Sequence, residues 1–249
     1  MIVDKNTTTV VSENVEFTRI MSEGGVLWEK KSLGPGPTQL IGGNEEAGFY
    51  GEVPTSELIT GTELAKIINL KEGLDENLDA PWLKFSYLGK VEFIAKKPFK
   101  TLISWKAINE ANAVFGNKVV TINGLSYKVR LIKGKTEGKQ NDTKSYRGEI
   151  NHNSEWNRLM LPIHKNAPSS WRYSENVKSP TENWNIKYTD ADLVTAYNIR
   201  GSASWCQECG EKDYYFLRRG ISGPADSSSN YDSENSNATG WRPVLELVD

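Results

Sequence analysis

The clearest local signal in the chain is the stretch VVTINGLSYKVRL, residues 119–131. Two runs rich in β-branched and aromatic residues are joined here by Asn123-Gly124. Asn-Gly is the pair that most readily takes positive φ at both central positions of a type I′ turn, the turn that joins antiparallel strands. The stretch therefore predicts a β-hairpin, and with it an antiparallel sheet.

More strand signals lie on both sides of this hairpin. Residues 82–97 alternate in β-forming side chains around Leu88-Gly89-Lys90, which predicts a second hairpin. Strand patterns return near the end of the chain, at 214–219 and 241–248. The sheet is therefore expected to draw strands from much of the sequence.

Short helices are predicted between the strands. One opens at the capping box Thr60-Gly61-Thr62-Glu63, with Leu64, Ile67 and Ile68 on one face; one follows Ser104 over 105–115; one spans 154–161, with Trp156, Leu159 and Met160 buried; and a short one opens at Thr189. Strands in most of the chain with a few short helices predict an α+β protein.

The N-terminal third has a different character from the rest. Residues 1–25 show no clear period, and residues 32–38 read SLGPGPT, a loop or extended segment. We expect an N-terminal arm with a small anchoring segment over 1–79, and the main domain over 80–249. An arm poor in core residues is usually held by a partner, which favours a subunit of a larger assembly.

Composition excludes several classes of partner. The 249 residues carry 30 basic and 32 acidic side chains, a net charge of −2, so nothing favours nucleic acid or anionic lipid. Hydrophobic residues make up 37% of the chain, enough for a core. No apolar run approaches the ~18 residues that a membrane-spanning helix needs. A folded protein without membrane insertion is expected.

Residues 225–239 are almost all small and polar, and Tyr231 is their only aromatic residue. Two predicted strands bracket this stretch, which predicts a long loop. Long loops inside a domain are often functional, although a solvated connector has the same composition. Recognition and connection both remain open for it.

Cys206 and Cys209 are the only cysteines. Their spacing is compatible with a zinc half-site, a redox pair or two thiols near a turn. The third interpretation is favoured, because it needs neither further metal ligands nor a strand and helix around the pair. The only histidines, His152 and His164, flank a predicted helix and are interpreted as ordinary side chains. Asp190 and Asp192 are acids of the kind that helix N-termini favour.

No phosphate-binding loop, nucleophile elbow or zinc-helix motif occurs in the sequence. We therefore expect a protein that is not an enzyme, with no cofactor and no metal. Tryptophan is the more suggestive side chain, because aromatic residues are enriched at binding surfaces. Trp156 and Trp241 fit core positions, whereas Trp171 and Trp184, in an irregular stretch, are candidates for a binding surface.

The second half of the chain, about residues 80–249, resembles the C-type-lectin-like fold, in the branch of formylglycine-generating enzymes and phage receptor-binding proteins. Four stretches carry the resemblance in order: Ser104-Trp105-Lys106-Ala107, Ser154 to Leu159, Phe216 to Gly220, and Gly240-Trp241-Arg242-Pro243-Val244. The first has its alanine one position earlier than the family. The resemblance implies a twisted antiparallel sheet flanked by two helices.

A closer likeness is to virion structural proteins of tailed bacteriophages. It is carried by AGFYGEV at 47–53, WLKF at 82–85, EWNRLM at 155–160 and the terminal GWRPVLEL. In such proteins the polar stretch before the terminal motif, here 221–239, displays sequence diversity. The likeness implies a location on the virion surface, with other virion proteins and further copies of the chain as partners.

The chain also departs from the sugar-binding and catalytic members. It lacks the Glu-Pro-Asn or Gln-Pro-Asp and Trp-Asn-Asp motifs of calcium-dependent lectins, and Asn183-Trp184-Asn185 lacks the acid. Asp226, Asp232 and Glu234 are a poor cation site, which would need about six rigidly held oxygens. The Cys206 and Cys209 pair does not map onto the copper-binding pair of the enzymes.

These features lead to one main hypothesis, a structural alternative and a third class, a redox or copper enzyme built on Cys206 and Cys209. The chain is expected to be a tail- or fibre-associated virion protein that binds a host-surface glycan or protein through Trp171, Trp184, Asn230, Tyr231 and Asp232. The alternative is a capsid-decorating or collar subunit that has no receptor of its own.

Overall fold

The computed structural model describes residues 32–134, 154–165, 183–193, 201, 203–209, 214–221, 223–224 and 227–248, with the backbone of four strands before residue 30. The chain divides into two compact units, residues 1–34 with 249, and residues 35–248. Residue 79, the boundary expected from the sequence pattern, lies inside the second unit.

The first unit contains four short strands: β1 (Val10–Ser12), β2 (Val15–Phe17), β3 (Arg19–Ser22) and β4 (Gly25–Glu29). β1 pairs with β2 and β3 with β4, both antiparallel. The segment predicted as an arm without regular structure therefore contains two small hairpins.

The second unit contains two larger sheets. Its strands are β5 (Gly42–Gly43), β6 (Ala47–Val53), β7 (Leu74–Asp75), β8 (Trp82–Tyr87), β9 (Lys90–Ala95), β10 (Lys100–Thr101), β11 (Phe115–Ile122), β12 (Leu125–Arg130), β13 (Ala203–Cys209), β14 (Tyr215–Arg219), β15 (Ser227–Tyr231), β16 (Thr239–Trp241) and β17 (Val244–Leu247). The helices are α1 (Gly61–Ile67), α2 (Trp105–Glu110), α3 (Glu155–Met160) and α4 (Asp190–Leu193). Mostly antiparallel sheets with few helices confirm the α+β class. Within the ranges described, no helix is both long and apolar enough to span a membrane.

The seven-stranded sheet has the order β11-β12-β17-β9-β8-β6-β5, and its neighbours are all antiparallel. Both predicted hairpins belong to it, β8–β9 and β11–β12. At the second turn Asn123 and Gly124 have φ of 51° and 82°, as a type I′ turn requires. The terminal strand β17 inserts between the two hairpins, which ties the end of the chain into the sheet.

The six-stranded sheet has the order β15-β14-β13-β16-β10-β7. Its pairs are antiparallel except β13 and β16, which are parallel. The prediction of an unstructured loop over 225–239 was wrong in part, because Ser227–Tyr231 forms the edge strand β15 in register with all of β14. Backbone pairing with β14 overrides the weak strand preference of serine and asparagine.

The helices begin where their capping residues predict. Thr60 caps α1 with a complete capping box, and Ser104 and Ser154 cap α2 and α3 through their side chains. Two details were wrong. Ile67 is 48% exposed, so α1 buries Leu64, Ala65 and Ile68 instead. α2 stops at Glu110, because Ala111 caps it and the chain then turns into β11 at Phe115.

Helix α1 offers a test of the capping interaction. Thr60 Oγ1 accepts a hydrogen bond from Glu63 N at 3.2 Å, while Glu63 Oε2 accepts from Thr60 N and Oγ1. Thr60→Ala is expected to lower the free energy of unfolding by about 1 kcal/mol, measured by urea denaturation. Thr60→Ser keeps the hydroxyl and should stay close to the wild type. Equal losses in both variants would contradict a capping role.

The Gly-Pro-rich stretch is anchored to the sheet by a buried lysine. Lys84 of β8 is fully buried, and its Nζ donates to the carbonyl oxygens of Pro35 at 2.8 Å and Pro37 at 2.6 Å. Burial lowers the pKa of Lys84 to about 8. The start of the second unit is therefore held by a side chain of its central sheet.

The main core lies where α3 packs against the seven-stranded sheet and reaches strands of the other one. Its buried members include Phe49, Leu83, Phe85, Ile94, Ile132, Trp156, Leu159, Met160, Ile163, Leu193, Cys206, Leu217 and Val244. The predicted burial of Trp156, Leu159 and Met160 is confirmed. One helix therefore contributes to a core shared by strands that are distant in sequence.

Candidate functional site

The strand β15 brings three tyrosines together. Tyr215 and Tyr231 are direct cross-strand partners in β14 and β15, with ring centres 4.4 Å apart. Tyr214, one residue before β14, stacks on Tyr231 at 5.7 Å with ring planes only 8° apart. Tyr214 and Tyr231 remain 45% and 46% exposed. We call Tyr214, Tyr215 and Tyr231 the tyrosine cluster.

The backbone around the tyrosine cluster is held in place. Asp232 N donates to Tyr214 O at 3.0 Å, and Asp232 O accepts from Lys106 N, in the first turn of α2, at 2.9 Å. Behind the cluster, Phe216 of β14 stacks on Trp105 of α2 with ring centres 3.7 Å apart. The exposed rings therefore project from a packed sheet edge, which limits the entropy lost when a partner binds.

The structure places the predicted binding residues that it describes in different surroundings. Tyr231 lies in the tyrosine cluster, and Asn230 and Asp232 flank it in the chain. Asn230 is half-buried and its Oδ1 accepts from Tyr231 N at 3.0 Å, while Asp232 contributes its backbone contacts with Tyr214 and Lys106. Trp171 lies outside the described residues.

Trp184 lies far from these residues in the sequence and packs against the other sheet. It is partly buried against the main core. A Cβ added to Gly42 would lie 2.6 Å from Trp184 Cβ, and one added to Gly43 would lie 2.8 Å from Trp184 Cζ2. The indole thus covers the two glycines of β5. Much of its surface is used in packing, and it does not join the tyrosine cluster.

Sequence reasoning missed Tyr214 and Tyr215. The available signal was the adjacent Tyr-Tyr pair at the start of a predicted strand. Its meaning depended on β15, because only the register between β14 and β15 places Tyr231 beside them. Because residues 225–239 were predicted to be a loop, no strand register could be predicted for Tyr231.

The four stretches behind the fold resemblance come together inside the protein. Trp156 of α3 is fully buried, and its Nε1 donates to Pro224 O at 2.5 Å. The guanidinium groups of Arg219 and Arg242 each lie 5.4 Å from the Trp156 ring. Arg219 ends β14, and Arg242 precedes β17. With the stack of Trp105 on Phe216, all four stretches meet through direct side-chain contacts.

Arg242 is an unusual buried cation. Its Nη2 donates to Leu193 O, but Nε and Nη1 are buried without a hydrogen-bond partner among the residues that the structure describes. Burial lowers the pKa of Arg242 to about 9. The carbonyl oxygen of Leu193 and the face of the Trp156 ring both favour this buried charge.

A second buried charge cluster joins α3 to the seven-stranded sheet. Arg130 Nη2 lies 2.5 Å from Glu92 Oε1 and 2.7 Å from Glu155 Oε1, and all three residues are buried. Burial alone would raise the pKa of Glu155, but the charge of Arg130 and several hydrogen bonds lower it. Burial and the neighbouring Glu155 raise the pKa of Glu92, whose Oε2 meets no donor from the described residues. One cation facing two buried carboxyls favours a protonated Glu92.

The residues considered for catalysis or metal binding occupy structural positions. Cys206 is a free thiol, fully buried, and burial raises its pKa, which disfavours the reactive thiolate. His164 Nε2 lies 3.2 Å from Asp190 Oδ1, while Asp192, inside α4, exchanges reciprocal hydrogen bonds with Thr189, the residue before the helix. Across the described residues, no group of three or more His, Cys, Asp or Glu side chains is placed to hold a metal ion. The Cys209 side chain and His152 lie outside the described part of the chain.

Comparisons with protein-family models, with curated proteins and with solved structures found no match to this chain.

Proposed function

We propose that this chain is a non-enzymatic structural protein of a tailed-bacteriophage virion, with a C-type-lectin-like domain that binds a component of the host surface. The support for the fold is the convergence of its four stretches around Trp156 and Trp105. Residues so far apart in sequence meet in one core, with Arg219 and Arg242 on the same indole. This convergence makes chance similarity of four short stretches a weaker explanation.

The tyrosine cluster is the observation that carries the binding role. Tyrosine is enriched in binding surfaces, since it offers a rigid apolar face and a polar hydroxyl at low entropic cost. Tyr214 and Tyr231 stack on each other while nearly half exposed on a sheet edge, so they form one continuous aromatic surface rather than isolated exposed rings. Tyr231 also belongs to the polar stretch that the resemblance associates with diversity. The cluster is suited to a glycan ring or an apolar patch of a protein.

The N-terminal unit has a separate role in this proposal. Its short strands would attach the chain to other virion proteins or to further copies of itself. The C-terminal part of the second unit, which carries the tyrosine cluster, would bind the host surface. Attachment and recognition are thereby assigned to opposite ends of the sequence.

A double substitution tests the binding role. In Tyr214→Ser/Tyr231→Ser the exposed rings are lost, and we expect binding of the purified protein to host cells to fall at least about tenfold, since a hot-spot aromatic is worth about 2 kcal/mol or more. The thermal transition should change little, because both rings are largely exposed. Ile41→Ser is the matched control, since Ile41 is 58% exposed beside the other sheet. Unchanged binding in the double variant would refute the role of the cluster and favour a decorating subunit.

A further inference from the structure

A separate pocket of about 350 Å³ opens in the second unit. Its walls come from the connection between β7 and β8, from the residues after β9, and from helix α4. Its volume is in the range of sites for small molecules. None of its residues belongs to the tyrosine cluster. The lining includes Leu78, Asp79, Pro81, Lys96, Lys97 and Asp192.

The walls of this pocket are fixed by hydrogen bonds. Ala80 N donates to Asn77 O at 2.9 Å, which closes a turn, and Asn77 Nδ2 donates to Pro98 O at 2.8 Å. Lys96 N donates to Pro81 O at 3.0 Å, so the turn is also tied to the end of β9. The pocket is therefore formed before any ligand arrives.

One of the two lysines on the wall is available to a ligand. Lys96 Nζ is engaged with Glu52 Oε1 at 2.7 Å and lies 4.6 Å from the centre of the Tyr188 ring. The ammonium group of Lys97 forms no ion pair or hydrogen bond with the residues that the structure describes. The pKa of Lys97 is lowered by partial burial and by the nearby charges of Lys96 and Arg242, while the Asp192 carboxylate acts in the opposite direction. A ligand carboxylate would add a second favourable charge beside this partly buried ammonium group.

Two carboxylates offer acceptors in the same pocket. Asp192 Oδ2 accepts from Thr189 N at 2.8 Å and Oγ1 at 2.6 Å, whereas Oδ1 receives no donor from the described part of the chain. These hydrogen bonds lower the pKa of Asp192, and the charges of Lys96 and Lys97 lower it further, so Asp192 stays ionised and is a strong acceptor for hydroxyl groups. The positive charges of the two lysines partly offset its repulsion of an incoming anion. Asp79 is exposed, and beside it Leu78 is 52% exposed and adds an apolar surface.

We propose that this pocket binds an acidic monosaccharide unit. The sugar carboxylate pairs with the Lys97 ammonium group, ring hydroxyls donate to Asp79 and Asp192 Oδ1, and the apolar face of the ring covers Leu78. A simple anion would leave both carboxylates unused, and a neutral sugar would leave Lys97 unpaired. This role depends neither on the tyrosine cluster nor on a virion location.

Titration of the full-length protein with sodium glucuronate, followed by calorimetry or amide chemical shifts, tests this proposal. Glucose lacks the carboxylate and acetate lacks the ring, so each probes one half of the recognition. We expect saturable glucuronate binding, at least about tenfold tighter than for either comparison compound. Lys97→Gln should weaken it about tenfold, whereas Lys71→Gln, at an exposed lysine outside the pocket, should not.

Two outcomes would overturn the acidic-sugar site. Equal affinity for glucuronate and acetate would show a simple anion site, and no saturation up to about 10 mM glucuronate would show no site. Neither result bears on the binding role proposed for the tyrosine cluster. In turn, Tyr214→Ser/Tyr231→Ser should retain glucuronate binding, so failure of one proposal is distinguishable from failure of the other.

Discussion

Arg130→Met is expected to lower the free energy of unfolding by about 3–5 kcal/mol, the usual cost of removing one partner from a buried ion pair. Arg130 is the cation between Glu92 and Glu155, and it also donates through Nε to Glu246 Oε2 at 3.2 Å. Methionine fills similar space but leaves the carboxyls without a counter-charge. Chemical denaturation at pH 7 measures the loss.

The pH dependence of this loss follows from the same cluster. Without Arg130, the interaction that lowers the pKa of both Glu92 and Glu155 disappears, and burial raises both values. A carboxyl with a raised folded pKa contributes stability below its unfolded pKa and loses it as the pH rises through the folded pKa. The destabilisation of Arg130→Met should therefore be smaller at pH 5 than at pH 8. The opposite trend would contradict an uncompensated buried charge.

Glu92→Gln is the matched control for this cluster. The amide has the size of a protonated carboxyl, it can accept from Arg130, and it can donate to Glu155. We expect a change in unfolding free energy below about 1 kcal/mol at pH 7, in the range of a neutral hydrogen bond. A loss as large as that of Arg130→Met would show that Glu92 is ionised in the folded protein.

Trp156→Ala is expected to have the other large effect, a loss of about 3–5 kcal/mol in unfolding free energy. The indole is fully buried, and its removal leaves a cavity beside two buried guanidinium groups. Arg242 would lose its aromatic contact as well. Its Nε and Nη1 atoms already lack hydrogen-bond acceptors within the described ranges. Thermal and urea denaturation both report this change.

Trp156→Phe separates packing from hydrogen bonding. Phenylalanine keeps an aromatic face near Arg219 and Arg242 but cannot donate to Pro224 O. That oxygen still accepts from Arg219 Nη2 at 3.2 Å, so the lost hydrogen bond should cost only about 1 kcal/mol. A phenylalanine variant as unstable as the alanine variant would refute the role of the ring contacts.

The sequence predicted the parts of the fold that local chemistry determines. The Asn123-Gly124 turn, the capping box at Thr60 and the capping serines Ser104 and Ser154 each act within a few residues, and each lies where expected. The C-terminal end of α2 was not predicted, because the helix stops where the following residues pair in a sheet. Local signals indicate where a helix begins better than where tertiary pairing ends it.

The candidate site depended on long-range pairing and was only partly predicted. Tyr231 was identified as a lone aromatic in a polar stretch, but its partners Tyr214 and Tyr215 become visible only through the register of β14 and β15. Trp184 was predicted to be a binding residue because the sequence around it has no regular pattern. Glycines at 42 and 43, about 140 residues earlier in the chain, give it a packing surface that no local pattern reveals.

Imaging of intact parent particles labelled with an antibody to this chain is the most direct test of the central proposal. We expect label at the tail tip or fibres, where a host-binding protein must lie. Label over the capsid or neck would contradict host binding and favour the decorating subunit. Absence of label from every particle, with the antibody shown to bind the purified chain, would contradict the virion assignment itself.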